Sequence, residues 1–303
     1  MVPTALELLQ HNPLAFGTAP LSTGFWGNER GRAVDAVIAA IDAGFTWFDT
    51  APLYGVGEAE ERLGAALASR PAAVVGVATK VGRTLTADGE AIFDYSSNAI
   101  REQLTSSLRR LGRDRVEVAH IHDPEDHLDQ AIDEGVATLV ELRAEGLIGA
   151  ISVGTNFTQT AARFCGLDEV DVVMLAGRIT LLDRSGVDQA LPSCKAAGIP
   201  LIAAAPFNSG LLAKANHDAW FDYGPAPEAL VARARAMAAA CERYGLALRA
   251  AALQFPLRHD GVLGVVAGMA SVAEVEQNVA DMATAIPDGL WAELDALANG
   301  ASG

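Results

Sequence analysis

Short apolar runs alternate along this chain with longer stretches whose apolar residues recur at helical spacing. The short runs, near 14-18, 45-49, 73-79, 116-121, 148-153, 171-176, 200-204 and 263-267, predict buried strands. The longer stretches predict amphipathic helices near 31-43, 58-69, 96-110, 128-145, 158-166, 186-197, 227-256, 271-282 and 288-298. Around the third of these, Ile100, Leu104, Leu108 and Leu111 share one helical face. Gly44, Gly112, Gly146 and Gly198 stand where helices should stop. Eight strands with helices between them predict an α/β fold closed into a (β/α)8 TIM barrel. A doubly wound sheet is the alternative, and no Gly-rich dinucleotide fingerprint follows any strand to support it. No linker, low-complexity tract or charge block divides the chain, so residues 1-303 read as a single barrel domain.

Composition narrows the function classes. Thirty-eight acidic against 22 basic residues give a net charge of -16, which makes nucleic acid and anionic membrane surfaces poor partners. Apolar runs are strand-sized, well short of a membrane span. The first residues lack a basic region followed by a long apolar one, so no signal peptide is expected. Cys165, Cys194 and Cys241 are odd in number and lack metal spacing, which predicts reduced thiols and a cytoplasmic enzyme. The only lysines are Lys80, Lys195 and Lys214. A chain that otherwise uses arginine has kept a titratable amine at the end of a buried strand.

The candidate chemistry lies at those strand ends. Asp49 closes Gly44-Phe-Thr-Trp-Phe-Asp49, Tyr54 follows in Asp49-Thr-Ala-Pro-Leu-Tyr54-Gly55, Lys80 closes Ala73-Val-Val-Gly-Val-Ala-Thr-Lys80, and His122 closes Val116-Glu-Val-Ala-His-Ile-His122. Carboxyl ends of parallel strands are where such folds keep their active sites. A phenol has a reference pKa of about 10, so at neutral pH it donates a proton but is a poor base. A nearby ammonium favours phenolate. Lys80 is the candidate ammonium, with Asp49 keeping it charged. Tyr54 is then the acid in carbonyl reduction and the base in alcohol oxidation. His122 can donate a hydrogen bond to the substrate oxygen. No metal is required. Read singly, Asp49 could be a cap, Tyr54 a turn aromatic, Lys80 a solvated charge and His122 a core histidine; their joint placement favours chemistry. His120, on the same strand face as His122, could line the mouth, and packing in an inner layer is the favoured reading.

Phe48-Asp-Thr-Ala-Pro-Leu-Tyr54-Gly55, Thr79-Lys80 and Ile121-His-Asp-Pro124 together resemble the aldo-keto reductase superfamily, over Gly17 to about Leu297. Leu175-Ala-Gly-Arg-Ile-Thr-Leu-Leu-Asp183 and Ala205-Pro-Phe-Asn-Ser-Gly-Leu-Leu212 are similar to its aldose 1-dehydrogenase branch, of the D-threo-aldose (L-fucose) type, with pyridoxal dehydrogenases as near relatives. The resemblance implies a nicotinamide cofactor that carries the hydride. It places Gly17, Thr18 and Asp49 near the nicotinamide ribose and Asn156 on the carboxamide. It places Ser209, Gly210 and Leu211 on the pyrophosphate, and Gly268, Glu274 and Asn278 at the adenosine end. Trp26, Tyr54, His122, Arg178 and Phe207 form the implied substrate site. Two positions depart from the family pattern. Ala204 replaces a nicotinamide-stacking Tyr and Met174 a carboxamide-binding Gln, with Arg178 or Phe207 as possible compensations. The cations that grip an adenosine 2′-phosphate in NADP-preferring relatives correspond to Gly268 and Glu274, which implies a preference for NAD over NADP. The aromatic stretch from Phe207 to Pro227 reads as a substrate or cofactor clamp. The chain ends soon after the helix near 288-298, which leaves an open site suited to a polar substrate. The expected partner is a small sugar, aldehyde or alcohol. A non-catalytic binding subunit on the same fold is the competing function class. Oligomeric state is not legible.

Overall fold

The computed structural model describes residues 5–23, 30–86, 88–214, 220–222 and 224–300. Eight parallel strands close into a barrel: β1 (Leu14–Gly17), β2 (Trp47–Asp49), β3 (Gly76–Val81), β4 (Val116–His122), β5 (Ile148–Thr155), β6 (Val172–Ala176), β7 (Leu201–Ala204) and β8 (Val262–Gly268). Each strand pairs with its sequence neighbours, and β1 closes the ring against β8 through Leu14↔Val265 to Gly17↔Gly268.

The period of two along these strands sorts their side chains into two cores. Trp47, Ala78, Val118, Val172, Met174 and Ile202 point inward and fill the lumen. The alternate residues, such as Phe48, Val77, Ala119 and Val173, point outward against the helices. In the helix Ser97–Leu111 the expected face of Ile100, Leu104, Leu108 and Leu111 is buried. Ser96 caps its first turn by accepting from the Ala99 N–H, and Gly112 ends it with a left-handed φ of 64°.

Several elements depart from the pattern reading. The stretch 227-256 is two helices, Glu228–Arg243 and Leu248–Gln254, because Gly245 turns the chain with a φ of 70°. The helices near 128-145 and 186-197 each contain a wider π segment, at Ala131–Val136 and Gly186–Ala190. A helix that was not expected, Ala5–His11, sets Leu9 into the lumen core from the amino-terminal side. A hairpin of Arg83–Leu85 and Ala91–Phe93 follows β3, and a two-residue pair, Trp220–Phe221 with Gly224–Pro225, lies within the long loop after β7.

The expectation of three reduced thiols is overturned. Cys165 and Cys194 form a disulfide with a Cα–Cα distance of 5.2 Å, and Cys241 is the free, buried thiol. The partners end and occupy neighbouring helices after β5 and β6, a proximity that sequence spacing does not encode. Among the described residues no helix is long and apolar enough to cross a membrane.

Candidate active site

Three of the four predicted residues are inward-facing positions near the carboxyl ends of adjacent strands. Asp49 ends β2, Lys80 lies one residue before the end of β3, and His122 ends β4. Tyr54 follows β2 in a turn whose backbone closes by donation from the Tyr54 N–H to the Ala51 carbonyl, at 3.1 Å. The structure therefore brings all four together. Lys80 Nζ donates to Asp49 Oδ1 at 2.6 Å and to the Thr50 carbonyl at 2.9 Å. The same ammonium sits 4.9 Å from the centroid of the Tyr54 ring. The Tyr54 and His122 rings meet edge to face, with centroids 6.5 Å apart.

Burial governs the charge states here. Asp49 and Lys80 are 3% and 2% exposed. Desolvation opposes the Lys80 ammonium, but the Asp49 carboxylate, helped by Tyr54 when it ionises, outweighs it and holds its pKa above the ordinary lysine value. Desolvation likewise works to raise the Asp49 carboxyl, and Lys80 and His120 together hold it below the usual range. His122 is pushed well below its ordinary value by burial first and then by Lys80, Arg83 and His120. At neutral pH the site thus holds a carboxylate, an ammonium and a neutral imidazole.

The rim around this cluster carries strain. Asp123, after β4, and Ala205, Asn208 and Ser209, after β7, all adopt left-handed backbone, with φ between 44° and 55°. Such conformations are costly in non-glycine residues and concentrate at functional sites. Asp123 also forms an ion pair with Arg83 at the start of the hairpin and lies 3.7 Å from His122 Nε2.

Three of the expected cofactor positions, Gly17, Asp49 and Gly268, are neighbours at the rim. Gly17 pairs with both Asp49 and Gly268, so β1, β2 and β8 present them in one row. A Cβ on Gly17 would meet the Ala267 carbonyl oxygen at 3.2 Å, which explains a glycine there. The hydroxyls of Thr18 and Thr50 and Oδ1 of Asn208 are buried with no hydrogen-bond partner. Unpaired buried polar atoms are costly, and this set suits a ligand rich in hydroxyl and amide groups, as a dinucleotide is. Ser209 and Gly210 are exposed on the loop after β7, with Leu211 buried beneath them. Met174 and Ala204 lie with the lumen core.

Other predicted residues have firm partners elsewhere. Arg178 donates from Nε to the Asn156 carbonyl at 2.8 Å, and its Nη1 pairs with Asp183 at 3.1 Å and Asp222 at 2.8 Å. It anchors the long loop to the segment after β6 through Nε and Nη1. Phe207 packs on the outer core. Trp26 lies outside the described residues, as does Tyr223 of the expected aromatic clamp. Glu274 is fixed rather than loose: its carboxylate accepts from the Ala270 N–H at 2.6 Å while Ser271 accepts from the Glu274 N–H at 3.3 Å. These two bonds hold the start of the helix Val272–Ala283. Sequence reasoning missed Arg249. Its guanidinium donates to Asn278 Oδ1 at 2.7 Å, pairs with the buried Asp281, and lies 5.5 Å from the Phe207 ring centroid. It sits on a helix that the sequence pattern merged with its neighbour, so no local signal marked it.

Comparison with known proteins agrees with this architecture. The aldo/keto reductase family matches residues 13–299. Similar relatives include a D-threo-aldose 1-dehydrogenase of a Pseudomonas species, 36% identical over 93% of this chain and 92% of that protein. A pyridoxal 4-dehydrogenase of Microbacterium luteolum is 33% identical over 93% of this chain and 92% of its own. Among solved structures, a glycerol dehydrogenase of Gluconobacter oxydans superposes with a TM-score of 0.80 at 26% identity, covering 94% of this chain and 90% of that one. The chain belongs to the aldo/keto reductase family. It is an NAD(P)-dependent oxidoreductase built on a closed (β/α)8 barrel.

Proposed function

We propose that the protein oxidises an aldose at C1 to its lactone, with NAD as the preferred acceptor and Tyr54 as the acid-base group. The observation that carries this reading is the buried Asp49–Lys80 pair set beneath the Tyr54 ring at the barrel mouth. The similarity to a D-threo-aldose 1-dehydrogenase supports the substrate class. Residues 1–303 act in this reading as one barrel domain.

A bound nicotinamide would supply the acceptor for the hydride lost from C1. The residues of the chain handle the proton. The C1 hydroxyl of the cyclic sugar gives its proton to the Tyr54 oxygen as the C1–H bond breaks, and the carbonyl of the lactone forms. Lys80 stabilises the phenolate that accepts that proton. Asp49 keeps Lys80 charged and aimed. His122, neutral through its burial, can donate one hydrogen bond to the sugar oxygen without adding a competing positive charge. Gly17, Thr18, Asn156, Ser209, Gly210, Leu211, Gly268 and Asn278 are the assigned cofactor contacts, and the unpaired hydroxyl of Thr18 suits that role.

Electrostatics at the helix Val272–Ala283 support NAD. A helix start normally welcomes a phosphate, but here the Glu274 carboxylate sits at that end, accepting from the Ala270 N–H just before the helix. Arg249, which bonds Asn278 of that helix, is paired with Asp281. A 2′-phosphate would meet an anion, whereas a ribose 2′-hydroxyl can donate to one. Missing charge-assisted bonds worth about 1.5–3 kcal/mol each predict at least a tens-fold preference for NAD. The test is kcat/KM with NAD and with NADP across a panel of aldoses and pyridoxal, for wild type, Glu274→Gln and Glu274→Arg. The Gln variant keeps an acceptor for the Ala270 N–H, and the Arg variant should gain NADP use. Equal use of both cofactors by the wild type, or no gain in the Arg variant, would refute the cofactor assignment. Turnover of none of the sugars would refute the substrate assignment.

A further inference from the structure

His120 stands one inward position below His122 on β4, in the layer beneath the proposed chemistry. Its register neighbours are Lys80 on β3 and Ser152 on β5, and all three are buried. Asp49 reaches the same layer from β2. Its Oδ1 is taken by Lys80 Nζ at 2.6 Å. Its Oδ2 is buried, has no hydrogen-bond partner, and lies 3.5 Å from His120 Nε2, which is equally unpartnered. On the far side of the ring, His120 Nδ1 lies 2.8 Å from the Ser152 hydroxyl.

We propose that His120 is a positioning residue that holds the second oxygen of Asp49, and through it keeps the Lys80 ammonium aimed at Tyr54. The inference rests on the proton-transfer role given to Tyr54 above. The ring's tautomer follows from its surroundings. With the proton on Nδ1, the Nε2 lone pair would face the Asp49 carboxylate, acceptor against acceptor. With the proton on Nε2, that N–H points at Oδ2, and the Ser152 hydroxyl turns from the Val153 carbonyl, 3.2 Å away, to donate to Nδ1. The 3.5 Å separation is longer than a formed N–H···O bond, so a slight ring rotation completes the contact. Burial, with Lys80 also opposing a second proton, keeps the imidazole neutral against the pull of Asp49. The other groups facing this network are Tyr54, His122, and the Arg83–Asp123 pair at the rim. A purely apolar filler in place of His120 would leave Oδ2 without a donor in a dry lumen.

Without His120, the Asp49 carboxylate stays on Lys80 but loses a donor that offsets part of its charge. It then neutralises the ammonium more fully, so the Tyr54 phenol becomes harder to ionise.

The test needs no substrate. The chain has four tyrosines, so the Tyr54 phenol can be titrated by carbon-13 NMR on protein labelled at tyrosine Cζ, with Tyr54→Phe assigning its signal. His120→Leu should raise the apparent pKa of Tyr54 by about one unit, and His120→Gln, which keeps a donor, should restore most of it. For an aldose that the wild type oxidises, kcat should fall about 10-fold in the Leu variant, with KM unchanged. No shift in the Leu variant, or equal shifts in Leu and Gln, would overturn the proposal. Should the Leu variant not fold, nitrogen-15 NMR of histidine in the wild type decides. A neutral Nε2–H ring at neutral pH supports the proposal, and an Nδ1–H or doubly protonated ring overturns it. A protein that oxidises no aldose would count against the substrate assignment alone and leave these readings intact.

Discussion

Tyr54 and Lys80 carry the proposed proton transfer, and each can be removed separately. Tyr54→Phe deletes only the hydroxyl. Turnover should fall by about 10²–10⁴-fold, the usual weight of general acid-base catalysis, while dinucleotide affinity measured by fluorescence titration stays unchanged. Activity within a few-fold of wild type would remove Tyr54 from the mechanism. Lys80→Met deletes the ammonium 4.9 Å from the Tyr54 ring centroid. Oxidation should slow, and its alkaline limb should move upward as the phenol titrates nearer its reference value of about 10. An unchanged pH–rate profile would assign the activating charge elsewhere. The substitution also strands Asp49 as a lone buried carboxylate, a change that typically costs about 3–5 kcal/mol. Folding should therefore be checked by circular dichroism, and Lys80→Arg, which keeps the charge on a differently shaped group, should recover activity only in part.

At the scale of elements, the joint between β3 and the hairpin Arg83–Leu85/Ala91–Phe93 ties framework to site. Gly82 lies there with a φ of 95°, and a Cβ on it would fall 2.1 Å from Tyr95 Cε1. Tyr95 is fully buried, and its hydroxyl sits 2.7 Å from the His122 carbonyl and 2.9 Å from that of Asp123. The hairpin joint thus props the segment that carries His122. Gly82→Ala should cost about 3 kcal/mol, combining overpacking of ~1–3 with left-handed strain of ~1–2. It should also reduce turnover. Gly89 is the control, since it has a φ of 85° but open space around its missing Cβ. Gly89→Ala should show the strain alone, about 1–2 kcal/mol, with normal activity. Equal losses in the two variants by urea unfolding would show that Tyr95 yields and that the joint does not prop the site. The hairpin itself was hidden in the sequence. Its strands are three residues each, too short for a periodicity, and Ala91 to Phe93 are exposed. The break between Glu228–Arg243 and Leu248–Gln254 was hidden because the apolar period continues across Gly245.

The whole molecule should respond to acid through its buried histidines. His120 and His122 are fully enclosed and His259 partly so, and burial lowers the pKa of all three. Their folded values lie below the unfolded value of about 6.5, so the unfolded chain binds protons first as pH falls through that value. The stability they contribute is complete above that pH and is lost progressively below it, at up to about 1.4 kcal/mol per pH unit for each ring. Asp123 and Glu125, raised by burial, act with the opposite sign at lower pH. The histidine effect should therefore be cleanest between about pH 5.5 and 7. Urea midpoints should drop across that interval, and His122→Asn should flatten the slope. A wild-type midpoint that holds constant or rises on acidification would refute the assignment of buried neutral rings.

The sequence by itself determined the barrel and the four residues at its mouth. Eight apolar runs separated by helical periods admit few closed arrangements, and a side chain at the carboxyl end of an inward-facing strand position has only the mouth to occupy. What the fold added depends on distances between segments remote in sequence. His120 read as a packing residue, and only the register of β3, β4 and β5 set it between Asp49 and Ser152. Arg178 read as a substrate contact, and only the fold showed that Asp183, Asp222 and the Asn156 carbonyl hold its Nε and Nη1. Cys165 and Cys194 read as separate thiols until neighbouring helices brought them together. Periodicity reports which face of an element is buried, because burial acts on each element's own pattern. Which polar group meets which is settled by packing between elements, and a linear pattern holds no record of that.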